Sequence, residues 1–216
     1  MNKEEIYKYI DHTLLRPTSR YDEIKTLCEE AIKYNTASVC IPPCFIKRVR
    51  KDFPELNICT VIGFPLGYNA SEVKVFETET AIKDGANEID MVINQGDVKA
   101  GDFVKVKEEI EAVKKACNGK ILKVIIETCN LTEGEKIAMC QVVTEAGADF
   151  IKTSTGFGEA GATRADIEIF KDMIGPNVKM KAAGGVKTRE DLEDFIELGC
   201  ARIGTSSALK LLNEDA

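Results

Sequence analysis

Short runs of apolar, β-branched residues alternate along this chain with longer stretches whose apolar positions recur every third or fourth residue. The first pattern predicts strands covered on both faces, and the second predicts helices with one apolar stripe. Strands are expected at Tyr9–His12, Thr36–Ile41, Ile58–Ile62, Glu88–Val92, Leu122–Glu127, Phe150–Thr153, Val178–Ala182 and Arg202–Gly204. Asp22–Tyr34 places Ile24, Leu27, Ala31 and Ile32 at helical spacing. Ser71–Lys83, Asp102–Ala116, Glu133–Glu145, Arg164–Met173 and Arg189–Leu198 follow the same rule, with shorter helices at Phe45–Lys51 and Ser206–Leu212.

Local punctuation agrees with this division. Ser71, Asp102 and Thr132 with Glu135 read as helix starts, because their oxygens can accept from otherwise unpaired amides. Asn35, Gly85, Gly147 and Gly199 each follow a helix and precede a strand. That corner often requires a left-handed residue, which Asn and Gly tolerate best. Strands that alternate with helices pair in parallel, since each connection is a crossover. Eight such units without a linker predict an α/β chain forming a single (β/α)8 TIM barrel over residues 1–216. It is a compact version, since about 250 residues is typical. An open doubly wound sheet is the rival, but no Gly-x-Gly-x-x-Gly turn follows the first strand, where that fold expects one.

Composition narrows the function. With 44% hydrophobic and 30% charged residues, the chain is globular rather than disordered. A net charge of −7 offers no broad basic face for nucleic acid, so an anionic ligand would need a local nest of backbone amides. No apolar run approaches the roughly 20 residues that span a bilayer. The charged start lacks a signal-peptide core, so a cytoplasmic location is expected. The eight cysteines include no CxxC pair and read as reduced, mostly buried hydrophobes. His12 is the single histidine. Neither a metal nor another cofactor is expected.

In a barrel, chemistry belongs at the C-terminal ends of the strands. Lys152 lies in Phe150-Ile151-Lys152-Thr153-Ser154-Thr155-Gly156, on a strand that helices should cover from outside. It is expected to point into the barrel mouth, although a lysine snorkelling to solvent would fit the same pattern. Carbonyl attack needs a neutral amine, and burial of an unpaired ammonium favours that form. In Val178-Lys179-Met180-Lys181-Ala182, two lysines share one face of the next strand. An unperturbed lysine is neutral in only about one molecule in 2,500 at pH 7. A second ammonium about 4 Å away opposes the first by about 4 kcal/mol at an effective dielectric of 20. Lys181 could supply that charge, with Lys179 as an alternative. Asp90, in the middle of the apolar Glu88–Val92 run, needs cationic partners and could move protons or simply pair with them. Lys123 and Glu127 raise the same question.

Two loops suit an anion. Ala182-Ala183-Gly184-Gly185-Val186 follows the seventh strand, and Gly204-Thr205-Ser206-Ser207 follows the eighth. Barrels often bind phosphate there, on backbone amides and hydroxyls. Gly184, Gly185, Gly204, Ser206 and Ser207 are the expected contacts, joined by Thr155 and Gly156 after the Lys152 strand. Asp11, Cys40 and Lys123 are further candidates for the substrate pocket. A buried thiol is the plainer reading of Cys40.

Ile10-Asp11-His12-Thr13-Leu14-Leu15, Val61-Ile62-Gly63-Phe64-Pro65-Leu66-Gly67, Glu88–Val92, Leu122–Thr128, Phe150–Gly156 and Lys181–Val186 together resemble the deoxyribose-phosphate aldolase family, in order and along nearly the whole chain. The resemblance implies reversible, metal-independent cleavage of 2-deoxy-D-ribose 5-phosphate to acetaldehyde and D-glyceraldehyde 3-phosphate, in deoxynucleoside catabolism. It implies Lys152 as the Schiff-base lysine, Lys181 as its activating neighbour and Asp90 as the proton-transfer group. A homodimer is also implied. Two features depart from the pattern. Phe157 stands where some members carry a phosphate-binding lysine, and the chain ends Leu212-Asn213-Glu214-Asp215-Ala216, without the terminal tyrosine of some members. Another Schiff-base aldolase of transaldolase type, or a non-catalytic sugar-phosphate-binding barrel, would share several of these features.

Overall fold

Parallel strands that are apolar on both faces need a helical layer outside and a filled interior, and closing the sheet removes its exposed edges. The computed structural model, which describes residues 1–213, solves the problem this way. Its strands are β1 (Ile10–Thr13), β2 (Ser38–Ile41), β3 (Ile58–Ile62), β4 (Glu88–Val92), β5 (Ile121–Ile125), β6 (Phe150–Lys152), β7 (Lys179–Ala183) and β8 (Cys200–Thr205). They pair in parallel in chain order, and β8 closes onto β1 through Ile10–Ile203 and Asp11–Gly204. The open-sheet rival is excluded. Eight helices, the shortest being Ala208–Asn213 and Ile46–Asp52, follow the eight strands in turn.

The two-residue alternation of each strand sorts the side chains into two populations. Ile89 and Met91 on β4, Leu122 and Val124 on β5, Ile151 on β6 and Met180 and Ala182 on β7 join the apolar cluster shared with the helices. The residues between them are Asp90, Lys123, Lys152 and Lys181, and these meet inside the barrel.

Several expected boundaries move. Glu127 lies beyond β5, in the left-handed region (φ 53°), and starts a short 3-10 turn over Thr128–Asn130. Thr132 and Asp102 cap their helices as expected, Thr132 through a reciprocal box with Glu135. Ser71 does not cap. Ala70 precedes that helix, and the Ser71 hydroxyl instead donates to Glu109 at 3.2 Å. Two five-residue helices, Lys3–Tyr7 and Gln95–Lys99, are too short to show a period in the sequence. The terminal residues Glu214, Asp215 and Ala216, which bear on the missing tyrosine, lie outside the described residues.

The helix Ser71–Asp84 carries a fully buried lysine that the sequence pattern did not mark. Lys74 pairs with Glu109 at 2.9 Å and donates to the Val92 carbonyl at 2.8 Å, at the end of β4. Gly63 leaves room for it, because a Cβ there would come within 2.8 Å of the Lys74 stem. Removing one partner of a buried pair strands the other charge, which costs about 3–5 kcal/mol. Lys74→Ala and Glu109→Ala should each lower stability by about that much in urea unfolding. The double variant Lys74→Met/Glu109→Leu should lose clearly less than the two single losses together.

Candidate active site

The interior of the barrel holds a layer of charge where an apolar core would be ordinary. Asp11 on β1, Glu88 and Asp90 on β4, Lys123 on β5, Lys152 on β6, Lys181 on β7 and Arg202 on β8 form one continuous ion-pair network. Asp90 is its hub. One of its oxygens, Oδ2, accepts from Lys152 Nζ at 2.8 Å and from Lys181 Nζ at 2.7 Å, while Oδ1 accepts from Lys123 Nζ at 2.8 Å. The two lysine nitrogens that share Oδ2 are therefore close neighbours. Lys181 also donates to Asp11, which accepts from Arg202 at 2.6 Å and from Ser38 at 2.8 Å. Lys123 pairs with Glu88 at 2.6 Å, and Arg202 grips both Glu88 oxygens at 2.9 Å.

Register explains the convergence. Lys152 sits opposite Lys181, Lys181 opposite Arg202, and Asp90 opposite Lys123, so each pair occupies one level of the barrel. Lys179 shares a face with Lys181 as expected, but it is exposed at the start of β7, with its ammonium 5.8 Å from the Phe150 ring. Of the two lysines, it is Lys181 that lies beside Lys152, on the same Asp90 oxygen.

The network fixes its own protonation. Burial would push the Asp90 carboxyl up, but the ammoniums of Lys123, Lys152 and Lys181 outweigh it and hold Asp90 well below the usual carboxylate range. Asp11 is likewise held low by Lys181, Lys123 and Arg202 against its burial. Burial would lower Lys181, yet Asp11 and Asp90 hold it above the ordinary lysine value. Lys123 is raised in the same way against its burial, chiefly by Asp90. Lys181 is thus a fixed cation beside Lys152. Of the network's members, only Lys152 reaches the surface of the cavity above.

That cavity, of about 760 Å³, opens at the C-terminal end of the strands. Lys152 lies at its wall with Thr155, Gly156, Gly184, Gly185, Gly204, Ser206 and Ser207, so the expected anion contacts converge on one space. Among the described residues, the backbone amides of Gly156, Gly185 and Ser206 have no hydrogen-bond partner, which leaves three donors for a ligand. Two other donors are spent. The Thr155 hydroxyl donates to Glu127, and the Ser207 amide donates to Thr205 Oγ1. Phe157 is half exposed at the rim and meets Phe64 edge-on, with ring centroids 5.3 Å apart. No lysine reaches the anion from that position.

Asp11, Cys40 and Lys123, expected in the pocket, lie beneath it. All three are buried and none lines the cavity. Cys40 faces Cys59 across β2 and β3, and Cys59 contacts both Asp90 (3.1 Å) and Lys123 (3.2 Å). Ligand-type atoms of Cys40, Cys59 and Asp90, and of Asp11, Cys59 and Glu88, lie within 4.8 Å of one another. Ammonium and guanidinium groups already occupy the carboxylates of both groups, so a metal ion would have to displace them. All eight cysteines are free and six are buried. Arg202 and Glu88 are the network members the sequence reading passed over as candidates. Each is a charge inside a strand of an all-parallel sheet, the same signal that marked Asp90.

Comparison with known proteins agrees with this geometry. Residues 6–213 match the model of the DeoC/LacD family aldolases. A deoxyribose-phosphate aldolase of Clostridium botulinum (strain Alaska E43 / Type E3) is 62% identical over 213 residues, covering 98% of this chain and 96% of the relative. One from Clostridioides difficile (strain 630) is 54% identical, covering 98% of both chains. Among solved structures, QR15, an aldolase, superposes with a TM-score of 0.93 at 36% identity, covering 98% of this chain and 96% of its own. The tetrameric deoxyribose phosphate aldolase from Aeropyrum pernix superposes at 0.91 and 29% identity, covering 99% and 92%. No helix among the described residues is long and apolar enough to cross a membrane. With the matched region spanning nearly its whole length, the chain belongs to the DeoC/LacD family of aldolases.

Proposed function

We propose that this aldolase cleaves 2-deoxy-D-ribose 5-phosphate, reversibly, to acetaldehyde and D-glyceraldehyde 3-phosphate through a Schiff base on Lys152. The observation that carries the reading is the position of Lys152. It lines the cavity, and its nitrogen shares one Asp90 oxygen with the fixed cation Lys181.

Charge balance gives the reason. The network pairs three carboxylates (Asp11, Glu88, Asp90) with four cations (Lys123, Lys152, Lys181, Arg202). It is balanced when one cation is neutral, and Lys152 is the cation at the cavity wall. Neutral Lys152 attacks the C1 aldehyde, and the carbinolamine loses water to give an iminium. The iminium restores a fourth positive charge. Breaking the C2–C3 bond removes it, because the bonding pair flows into the iminium and leaves a neutral enamine. The C3 hydroxyl loses its proton to a water at the cavity wall, which relays it to Asp90 beside Lys181 in the layer below, and D-glyceraldehyde 3-phosphate departs. Protonation of the enamine carbon and hydrolysis then release acetaldehyde and return Lys152.

At the other end of the cavity, the phosphate lies on the amides of Gly156, Gly185 and Ser206, with the hydroxyls of Ser206 and Ser207 as further donors. This replaces a basic side chain and suits the acidic chain as a whole. The enzyme works in the cytoplasm, in deoxynucleoside catabolism, as a homodimer.

Incubation with acetaldehyde and borohydride, followed by peptide mass mapping, should place an ethyl group on the peptide that contains Lys152. Lys152→Ala should abolish both the adduct and cleavage; a folded parent enzyme without the adduct would reject the Schiff-base reading. Asp90→Asn should lower kcat by about 10²–10⁴-fold, as loss of a proton-transfer group does. A variant that retains more than about a tenth of the parent kcat would remove Asp90 from that role.

A further inference from the structure

Directly after β5, Glu127 is a buried glutamate in a left-handed conformation (φ 53°, ψ 68°) that L residues rarely adopt. Among the described residues, no cation lies within ion-pairing distance of it. Its carboxylate is instead spent wholly on one residue of the neighbouring loop. Oε1 accepts from the Thr155 amide at 3.1 Å, and Oε2 accepts from the Thr155 hydroxyl at 2.5 Å. The Thr155 oxygen then accepts from the Phe157 amide at 3.0 Å. Gly158 closes over the same group, since a Cβ there would stand 3.2 Å from Glu127 Cδ and 3.1 Å from Cys129 Sγ.

This arrangement acts on three successive amides. Those of Thr155 and Phe157 are drawn into the Glu127–Thr155 lock, and only the Gly156 amide between them is left without a partner at the cavity wall. Gly156 itself has φ 83°, a conformation that suits glycine. A carboxylate near an anion site repels the anion, so what Glu127 can contribute there is geometry rather than charge. The backbone on either side is tied as well: Ile126 donates to the Lys152 carbonyl at 3.1 Å and Thr128 to the Thr153 carbonyl at 2.9 Å.

We infer that Glu127 is a positioning residue for the phosphate end of the cavity, acting through Thr155 to present the Gly156 amide to the ligand. The inference rests on the phosphate site proposed above, and its test reads that site without requiring turnover. Inorganic phosphate would be titrated calorimetrically into the full-length parent and three variants. Glu127→Ala and Thr155→Val should each weaken phosphate binding at least about fivefold, the loss expected for one hydrogen bond. Thr155→Ser, which keeps the hydroxyl, should stay within about twofold. With substrate, the same two weakened variants should raise KM by a similar factor while moving kcat less than about threefold. Phosphate binding in Thr155→Val as tight as in the parent, or a parent that binds no phosphate, overturns the proposal even if Glu127→Ala fails to fold. Acetaldehyde trapping on parent Lys152 reports on the aldolase reading separately.

Discussion

One carboxylate oxygen shared by two lysine nitrogens is the constraint around which this barrel is organised. Asp90 Oδ2 holds Lys152 and Lys181 together, and the other Asp90 oxygen holds Lys123. Placing these charges inside a protein is expensive unless each finds a partner, so a single unpaired group would be costly. In the network every charged group has at least one partner of opposite sign. Four cations face three carboxylates, and Lys152 is the cation at the cavity wall.

The fold is what makes this arrangement possible. Asp11, Asp90, Lys123, Lys181 and Arg202 come from five strands spread over nearly the whole chain, and only closure of β8 onto β1 brings Asp11 against Lys181 and Arg202. The outward positions of the same strands carry the apolar contacts with the helices, so the charged interior rests on an apolar outer core. The loops beyond the strand ends then bring unpaired amides to the same mouth as Lys152. Lys152, Asp90 and the unpaired amides belong to separate strands and the loops that follow them. The barrel is what joins them.

Much of this was legible in the chain because parallel strands covered on both sides leave charged residues conspicuous. Lys152, Lys181 and Asp90 stood out as charges in apolar runs, and the glycine corners at 85, 147 and 199 announced the helix-to-strand turns, each with positive φ in the structure. What escaped depends on partners far away in sequence. Arg202 bonds Glu88 across 114 residues, and no local pattern marks that bond. Lys74 sat in an amphipathic helix, where a lysine ordinarily faces solvent, and only Glu109 and the Val92 carbonyl reveal it as buried. Glu127 was read as part of a strand because its apolar neighbours continue the run; its left-handed turn becomes visible only with Thr155 opposite it.

The decisive question is whether the fixed charge of Lys181 sets the proton occupancy of Lys152. It is answered by the pH midpoint for amine-selective labelling of the Lys152 peptide, compared between the parent and Lys181→Met. Removing one fixed cation leaves Lys152 as the counterion the carboxylates require, so the midpoint should rise by at least about one pH unit, a modest share of the roughly 4 kcal/mol between close like charges. A midpoint that stays in place or moves down in a folded variant would contradict the central claim.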